Sequence, residues 1–423
     1  MITKLKPKSE FSRNVLTLMT GTTIAQAIPI AISPILTRIY TPEDFGVFAL
    51  YMAIASIVAV IATGRYEMAI MLPKKDSDAV NIVALSIIIS FFMSFTVFLI
   101  VFLFNNQITD LLNNPEISNW LYFIPVTVLL TGIYQSFNYW SNRKKQYKRL
   151  STSIVVQSSS TASINLGIGF GGFGSSGLIV GQVLGQSFAT IILVKLVWNT
   201  DRELFQSIKK TKIIALLKRY ISFLKFGVLA LFTSNLANQS LFFLVNLYLT
   251  ATILGFISLI LRLVSIPSAF LSKNLGNVFY QEISLVKKEN SYKKIFNFTK
   301  KLIFYSLIIY FFMYILLENY FIVIFGEQWI GALEYIKYLL IVAAFSFIFS
   351  PLSMLFNYFE IQQYNFWWQF LWLISNVLIF ILYEYFNYSI EALFLAYTIK
   401  QSTLYIIGII SFLLYAKRIQ SEK

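Results

Sequence analysis

Twelve apolar stretches, each long enough to cross a bilayer, run almost end to end through this chain, near residues 14–38, 45–63, 80–104, 119–141, 152–173, 176–198, 221–248, 250–272, 301–325, 333–357, 365–386 and 390–415. A hydrocarbon core about 30 Å thick takes roughly 20 apolar residues of helix. Lipid offers an exposed backbone no hydrogen bonds, so these stretches predict an all-α integral membrane protein of twelve transmembrane helices. Basic clusters at Lys4, Lys6, Lys8 and Arg13, at Lys74 and Lys75, at Arg143 to Arg149, at Lys209 to Arg219, at Lys287 to Lys301, and at Lys417, Arg418 and Lys423 all fall on one side of that topology. The opposite gaps carry Glu43, Asp44, Asp110, Glu116, Glu318, Glu327 and Glu391 with almost no lysine or arginine. The basic side is the cytoplasmic one, which predicts both termini inside. The gap around Glu360 belongs on that side yet holds no basic residue.

With 57% hydrophobic and 13% charged residues, the composition is far from that of a soluble domain. The formal charge of +15 sits in short loops beside the spans, where topology and anionic headgroups account for it, so nucleic acid is not an expected partner. The chain has no cysteine and no histidine, which removes thiol chemistry, the commonest metal ligand and the commonest proton shuttle. No cofactor is expected. The first apolar stretch is too long for the core of a signal peptide and reads as a retained helix.

The longest polar gaps, about residues 199–220 and 283–300, are too short for an independent catalytic domain. The first divides the chain nearly in half, giving an expected N-terminal lobe over residues 1–210 and a C-terminal lobe over 211–423. A faint internal echo accompanies this: Tyr40 precedes Gly46, Val47, Phe48, Ala49 and Leu50, as Tyr248 precedes Gly255, Phe256, Ile257, Ser258 and Leu259. Repeated halves are a recurring transporter plan.

Polar side chains inside lipid are tolerated chiefly where they face protein or water. Thr22, Gln26, Pro29 and Ser33 form one stripe on the first span, and Asn235, Gln239 and Asn246 align on the seventh, each the first helix of its lobe. Ser258, Arg262, Ser265 and Ser272 share a face of the eighth. On the fifth, Ser158, Thr161 and Asn165 precede a glycine-rich run from Gly167 to Gly177, and helix packing is the better account of them.

Charges within spans discriminate further, because even a lenient scale sets about 2.5–3.5 kcal/mol against a central arginine or lysine. Arg262 and Lys400 lie near the middle of the eighth and twelfth spans with no carboxylate at comparable depth. An anionic ligand on one side, and a structural partner or a local water defect on the other, are the readings left open. Arg38, close to Glu43 and Asp44, and Arg65, close to Glu67, pose a similar choice between a local salt bridge and a ligand or gate role. Glu67 and Glu318 are edge candidates for ion coupling. The cluster Phe366, Trp367, Trp368 and Trp372 reads as an interfacial aromatic belt.

Five segments carry a family resemblance: LTRIYTPEDFG from Leu36 to Gly46, GRYEMAIMLP from Gly64 to Pro73, LRLVSIP from Leu261 to Pro267 with the later VFYQEIS from Val278 to Ser284, and FGEQW from Phe325 to Trp329. On these the chain resembles the Wzx-type polysaccharide flippases, in the superfamily that also holds multidrug exporters and lipid II flippases. The resemblance implies two six-helix lobes around a cationic central cavity that opens alternately to each side of a bacterial cytoplasmic membrane. It implies an undecaprenyl-diphosphate-linked oligosaccharide repeat unit as cargo, for O-antigen, capsule or exopolysaccharide synthesis, with membrane lipids and the polymerase and chain-length machinery as partners. Arg38, Arg65 and Arg262 stand in three of the motifs, whereas Lys400 belongs to none. A cation-coupled small-molecule exporter, a membrane glycan polymerase or ligase, and a structural partner of glycan assembly are the rival readings. The first lacks a deep carboxylate in this sequence, and the second lacks a sizeable outer loop with convergent catalytic residues.

Overall fold

The TPED segment shows how the sequence builds one of its corners. Thr41 Oγ1 accepts the Asp44 backbone N–H at 3.2 Å while the Asp44 carboxylate accepts the Thr41 N–H at 2.8 Å, and Pro42 opens the helix where its missing donor costs nothing. The computed structural model describes residues 10–421, and every regular element among them is helical. In chain order these are α1 (Glu10–Ile39), α2 (Pro42–Ala59), α3 (Tyr66–Ala69), α4 (Asp76–Leu111), α5 (Ile117–Leu121), α6 (Ile124–Arg143), α7 (Tyr147–Gly169), α8 (Ser175–Phe205) and α9 (Lys210–Arg219). They continue with α10 (Val228–Tyr248), α11 (Ala251–Val264), α12 (Lys273–Ser284), α13 (Tyr292–Phe325), α14 (Leu333–Leu352), α15 (Leu355–Tyr358), α16 (Gln362–Phe386) and α17 (Ile390–Ser421). Ten helical segments are long and apolar enough to cross a membrane, so this is a multi-pass membrane protein. All twelve apolar stretches lie on helices; α7 and α10 are the two outside that ten.

The chain forms two compact units that divide between Gln239 and Ser240, within α10. In the first unit α1 packs on α7, α7 on α8, α4 on α6, and α2 on both α6 and α8. The α7–α8 contact is close because Gly177, Gly181 and Gly185 recur every fourth residue on α8. A Cβ at these positions would overlap the Tyr40 hydroxyl, the Asn165 amide and the Thr161 hydroxyl respectively. Small residues at this spacing let membrane helices approach backbone to backbone, and the serine- and threonine-rich face of α7 is used for packing. Tyr40 closes the joint by donating to the Asn165 carbonyl at 2.6 Å.

The polar gaps of the first unit sort to its two ends. At one end Arg143 and Lys144 both reach Asp76 at 2.9 Å, Lys212 reaches Asp78 at 2.8 Å, and Asn81 ties α4 to Ser207 and Lys209. There, too, Arg149 pairs with Asp201 at 2.8 Å, both side chains about 9% exposed, and Trp140 Nε1 donates to the same carboxylate at 3.0 Å. This buried pair, on a residue that sequence reading assigned only to a basic loop, locks α7 to α8. At the other end, burial followed by the charges of Glu43 and Asp44 pushes the Glu116 carboxyl above its ordinary value. Segregation of basic from acidic gaps is what the loop pattern predicted. Lys4, Lys6, Lys8 and Lys423 lie outside the described residues.

In the second unit α14 packs against α11, α12, α13 and α17, and α16 lies on α17. Lys288 pairs with Glu360 at 2.9 Å and Tyr358 donates to the Val286 carbonyl at 2.8 Å. The neutral gap at Glu360 therefore shares an end with the basic gap of residues 283–300, and the Lys288 hydrogen bond holds the Glu360 carboxyl below its ordinary value. A π-helical turn over Ser268–Ser272 follows Pro267 just beyond α11, and a second, over Phe223–Gly227, precedes α10. The missing N–H of Pro267 removes one regular helix bond at the first of these.

Candidate functional site

A cavity of about 430 Å³ opens inside the first unit, within the size range of small-molecule sites. Its wall is built by helical periodicity. Thr127, Thr131 and Gln135 recur every fourth residue on α6, and Gln182 and Gln186 do so on α8. Ser56 lies on α2, Asn235 comes from α10 and Tyr139 from the end of α6, and Thr63, Arg65 and Glu67 close one side. Amides and hydroxyls thus dominate the polar lining, with a single guanidinium and a single carboxylate among the charged groups.

The charged side is made by a tight turn. Gly64 and Arg65 both adopt left-handed backbone, with φ of 57° and 67°. Glycine takes this conformation at no steric cost, whereas arginine does not. The turn aims Arg65 and Glu67 together: Nη1 donates to Glu67 Oε1 at 2.9 Å, and Thr63 Oγ1 donates to Oε2. Glu67 is 4% exposed. Arg65 Nε–H is buried beside the cavity without an acceptor among the described residues, an uncommon state for a strong donor. Tyr66, between the pair, is wholly buried and donates to the Leu217 carbonyl of α9 at 2.9 Å.

Of the residues singled out from sequence, Arg65 and Asn235 line this cavity. Gln26 and Arg38 are exposed on α1, where Arg38 Nη1 donates to the Pro34 carbonyl at 3.2 Å, and Asp44 is committed to the α2 cap. Gln239 is half-buried on α10 and does not line the cavity. The glutamine and threonine stripes of α6 and α8 were missed, although their four-residue spacing is the same signal that marked the first and seventh spans. Glu67 was placed at a helix edge, and only the turn reveals it as a cavity wall.

The second unit holds the other two cations. Arg262 is half-buried in the last turn of α11, where a cation complements the helix dipole. Its guanidinium forms no ion pair or hydrogen bond among the described residues. Lys400 on α17 donates to Asn376 Oδ1 of α16, and its ammonium lies 4.9 Å from the Tyr397 ring centre and 5.9 Å from that of Trp372. It forms no ion pair among the described residues. The aromatic cluster of α16 divides by helix face. Phe366 and Trp367 are exposed, as a belt requires, while Trp368 stacks on Phe349 and Trp372 packs edge-on to Tyr405 inside the bundle.

A family model described as polysaccharide biosynthesis protein matches residues 35–334. The chain belongs to this family. Its fold is that of transporters of the MOP superfamily, which agrees with the Wzx-type resemblance of its motifs. An inward-facing multidrug resistance MATE family transporter superposes with a TM-score of 0.67 at 14% identity, covering 95% of this chain and 96% of that one. A MOP superfamily transporter from Pyrococcus furiosus, described as having a binding pocket of reverse polarity that suggests a different function, gives 0.65 at 14%, covering 97% and 96%. An outward-facing MATE family transporter gives 0.56 at 15%, again covering 97% and 96%. Comparison with curated proteins finds no sequence match. Family and fold together give a polysaccharide biosynthesis protein built on a fold that it shares with membrane transporters.

Proposed function

We propose that this protein is a flippase that moves an undecaprenyl-diphosphate-linked oligosaccharide repeat unit from the cytoplasmic to the outer leaflet of a bacterial cytoplasmic membrane by alternating access. Both termini are inside, residues 1–210 and 211–423 act as its two lobes, and the glycan feeds O-antigen, capsule or exopolysaccharide assembly. The observation that carries this reading is the amide- and hydroxyl-lined cavity within membrane-spanning helices, with an unsatisfied guanidinium donor at its wall. Unassisted crossing is slow because a diphosphate and many hydroxyls would lose their hydration in hydrocarbon. Side-chain amides and hydroxyls replace that hydration donor for donor, the Arg65 Nε–H left over from the Glu67 pair adds one more donor, and Arg262 supplies the planar fork that suits phosphate oxygens. Arg38, Gln26, Gln239, Asn235 and Lys400 are the further substrate-contacting residues of this reading. Assembly partners would be the polymerase and chain-length machinery.

A cation-coupled exporter is the second reading, favoured by the burial of Glu67 in the same cavity. The Arg65–Glu67 ion pair weighs against it, because a carboxylate already neutralised by a guanidinium attracts a cation poorly.

Depletion of the protein in cells, followed by assignment of the lipid-linked glycan to a leaflet, tests the proposal. Accumulation in the inner leaflet is expected. Single repeat units gathering unextended on the outer leaflet would instead identify a polymerase, and an unchanged distribution would end the flippase reading.

A further inference from the structure

A separate recess, of about 440 Å³, opens at the basic end of the first unit, where the chain enters α4 and leaves α6. Met71, Asp76, Arg143, Lys144 and Lys145 line it. Three cations therefore stand around one carboxylate, and both oxygens of that carboxylate are taken, Oδ1 by Arg143 Nε and Oδ2 by Lys144 Nζ. Arg143 Nη1 donates to the Ile70 carbonyl at 3.1 Å, and the Lys144 ammonium lies 5.7 Å from the centre of the Trp140 ring. Arg143 and Lys144 thus brace the end of α6 against α3 and α4 whether or not anything is bound. Lys145 does not.

Lys145 is exposed, and its ammonium forms no ion pair or hydrogen bond among the described residues. Its backbone is left-handed, with φ of 55°. Across it Gln146 N–H donates to the Ser141 carbonyl at 2.9 Å, closing a helix end whose left-handed position is usually glycine. A lysine there strains the backbone, and strain of this kind gathers at functional positions. Its presence gives the recess two positive charges in excess of its carboxylate. The remaining wall is apolar: Met71 is 47% exposed, as is Leu72 beside it at 55%.

Cations next to exposed apolar side chains, at the end of membrane-spanning helices, fit an amphipathic anion. A free phosphate would make no use of Met71 and Leu72. The Arg143 fork that would grip a diphosphate is spent on Asp76 and on the Ile70 carbonyl, which leaves ammonium point charges for a single phosphodiester. We propose that this recess is a site for the phosphodiester headgroup of an anionic glycerophospholipid. Lys145 and Lys144 donate to its phosphate oxygens, and Met71 and Leu72 meet the first carbons of its acyl chains. The bound lipid is a resident partner of the first unit, distinct from any cargo in the cavity bordered by Arg65.

The test uses the purified full-length protein in detergent, with native mass spectrometry following dioctanoyl phosphatidylglycerol, dioctanoyl phosphatidylcholine, farnesyl diphosphate and inorganic phosphate. Phosphatidylglycerol is expected to bind at least about tenfold more tightly than phosphatidylcholine, the ratio that one charge-assisted hydrogen bond provides. Lys145→Gly should lose about that factor in phosphatidylglycerol affinity. Its melting temperature without lipid should stay the same or rise, because glycine suits the left-handed turn. Lys145→Arg should keep most of the affinity, and Lys218→Gln, which removes an exposed cation of α9 outside the recess, should leave it unchanged. Equal binding of the two phospholipids, full affinity in Lys145→Gly, or no binding of any probe would overturn the proposal. An equal loss in Lys218→Gln would replace the site by a diffuse basic surface. Tighter binding of farnesyl diphosphate, or displacement of phosphatidylglycerol by inorganic phosphate, would likewise overturn it in favour of a prenyl diphosphate or a free anion.

Discussion

Arg65 and Lys400 are both cations of a membrane protein, yet the two units settle them in opposite ways. Arg65 faces the carboxylate of Glu67 at 2.9 Å and borders a polar cavity. Lys400 meets a neutral amide and two rings and has no ion pair among the described residues. The first arrangement is electrically balanced in the absence of any ligand, and its stability depends on both partners being present. The second leaves the ammonium without a counter-charge among the described residues. Arg262 belongs with Lys400 in this respect.

The comparison breaks most sharply at Arg262. Arg262→Ala should cut glycan export by roughly a hundredfold, the effect of losing a guanidinium hydrogen-bonded to phosphate, while insertion and melting temperature stay as in the unmodified protein. Arg262→Lys should retain part of the activity. Export of the outer-leaflet glycan by the alanine variant at the original rate would remove Arg262 from the site.

A smaller effect separates the units by stability. Arg65→Gln leaves Glu67 buried beside an uncharged neighbour and should cost about 1–3 kcal/mol, toward the low side for a buried pair because Arg65 is 21% exposed. The double variant Arg65→Gln with Glu67→Gln should recover most of that loss, whereas Lys400→Gln should lose none. Denaturation of the purified variants measures this, and equal stability of the two single variants would erase the distinction drawn between the units.

The smallest effect concerns how the Arg65 turn is held. Tyr66→Phe removes the hydroxyl that joins this turn to α9, and should lower stability by about 1 kcal/mol. A drop in export larger than that stability change accounts for would show that α9 also positions the Arg65–Glu67 pair.

Much of the fold was legible before any coordinates. Apolar length marked the helices, and the basic gaps around Asp76, Arg143 and Lys212 do gather at one end of the first unit. The site was legible in pieces. The stripe containing Asn235 on α10 was found by spacing, and the equivalent stripes of Thr127, Thr131, Gln135 and of Gln182, Gln186 carry the same spacing on α6 and α8. Phe366 to Trp372 looked uniform as a string, but the 3.6-residue turn sends its members to different faces. Glu360 looked anomalous in its gap because Lys288, 72 positions earlier in the chain, supplies the positive charge from another loop.

Sequence by itself determined that this chain spans a membrane many times, which gaps are basic, and which motifs place it among polysaccharide biosynthesis proteins. These are local properties: hydropathy over a window, charge in a loop, residues within a motif. Tertiary structure decided which cation meets a carboxylate and which meets only neutral groups among the described residues. Whether Arg65 meets Glu67 depends on one left-handed turn, and whether Lys400 meets a carboxylate or an amide depends on which face of α16 packs on α17. Such pairings are set by the rotation and contact of whole helices, and a linear string does not encode those rotations residue by residue.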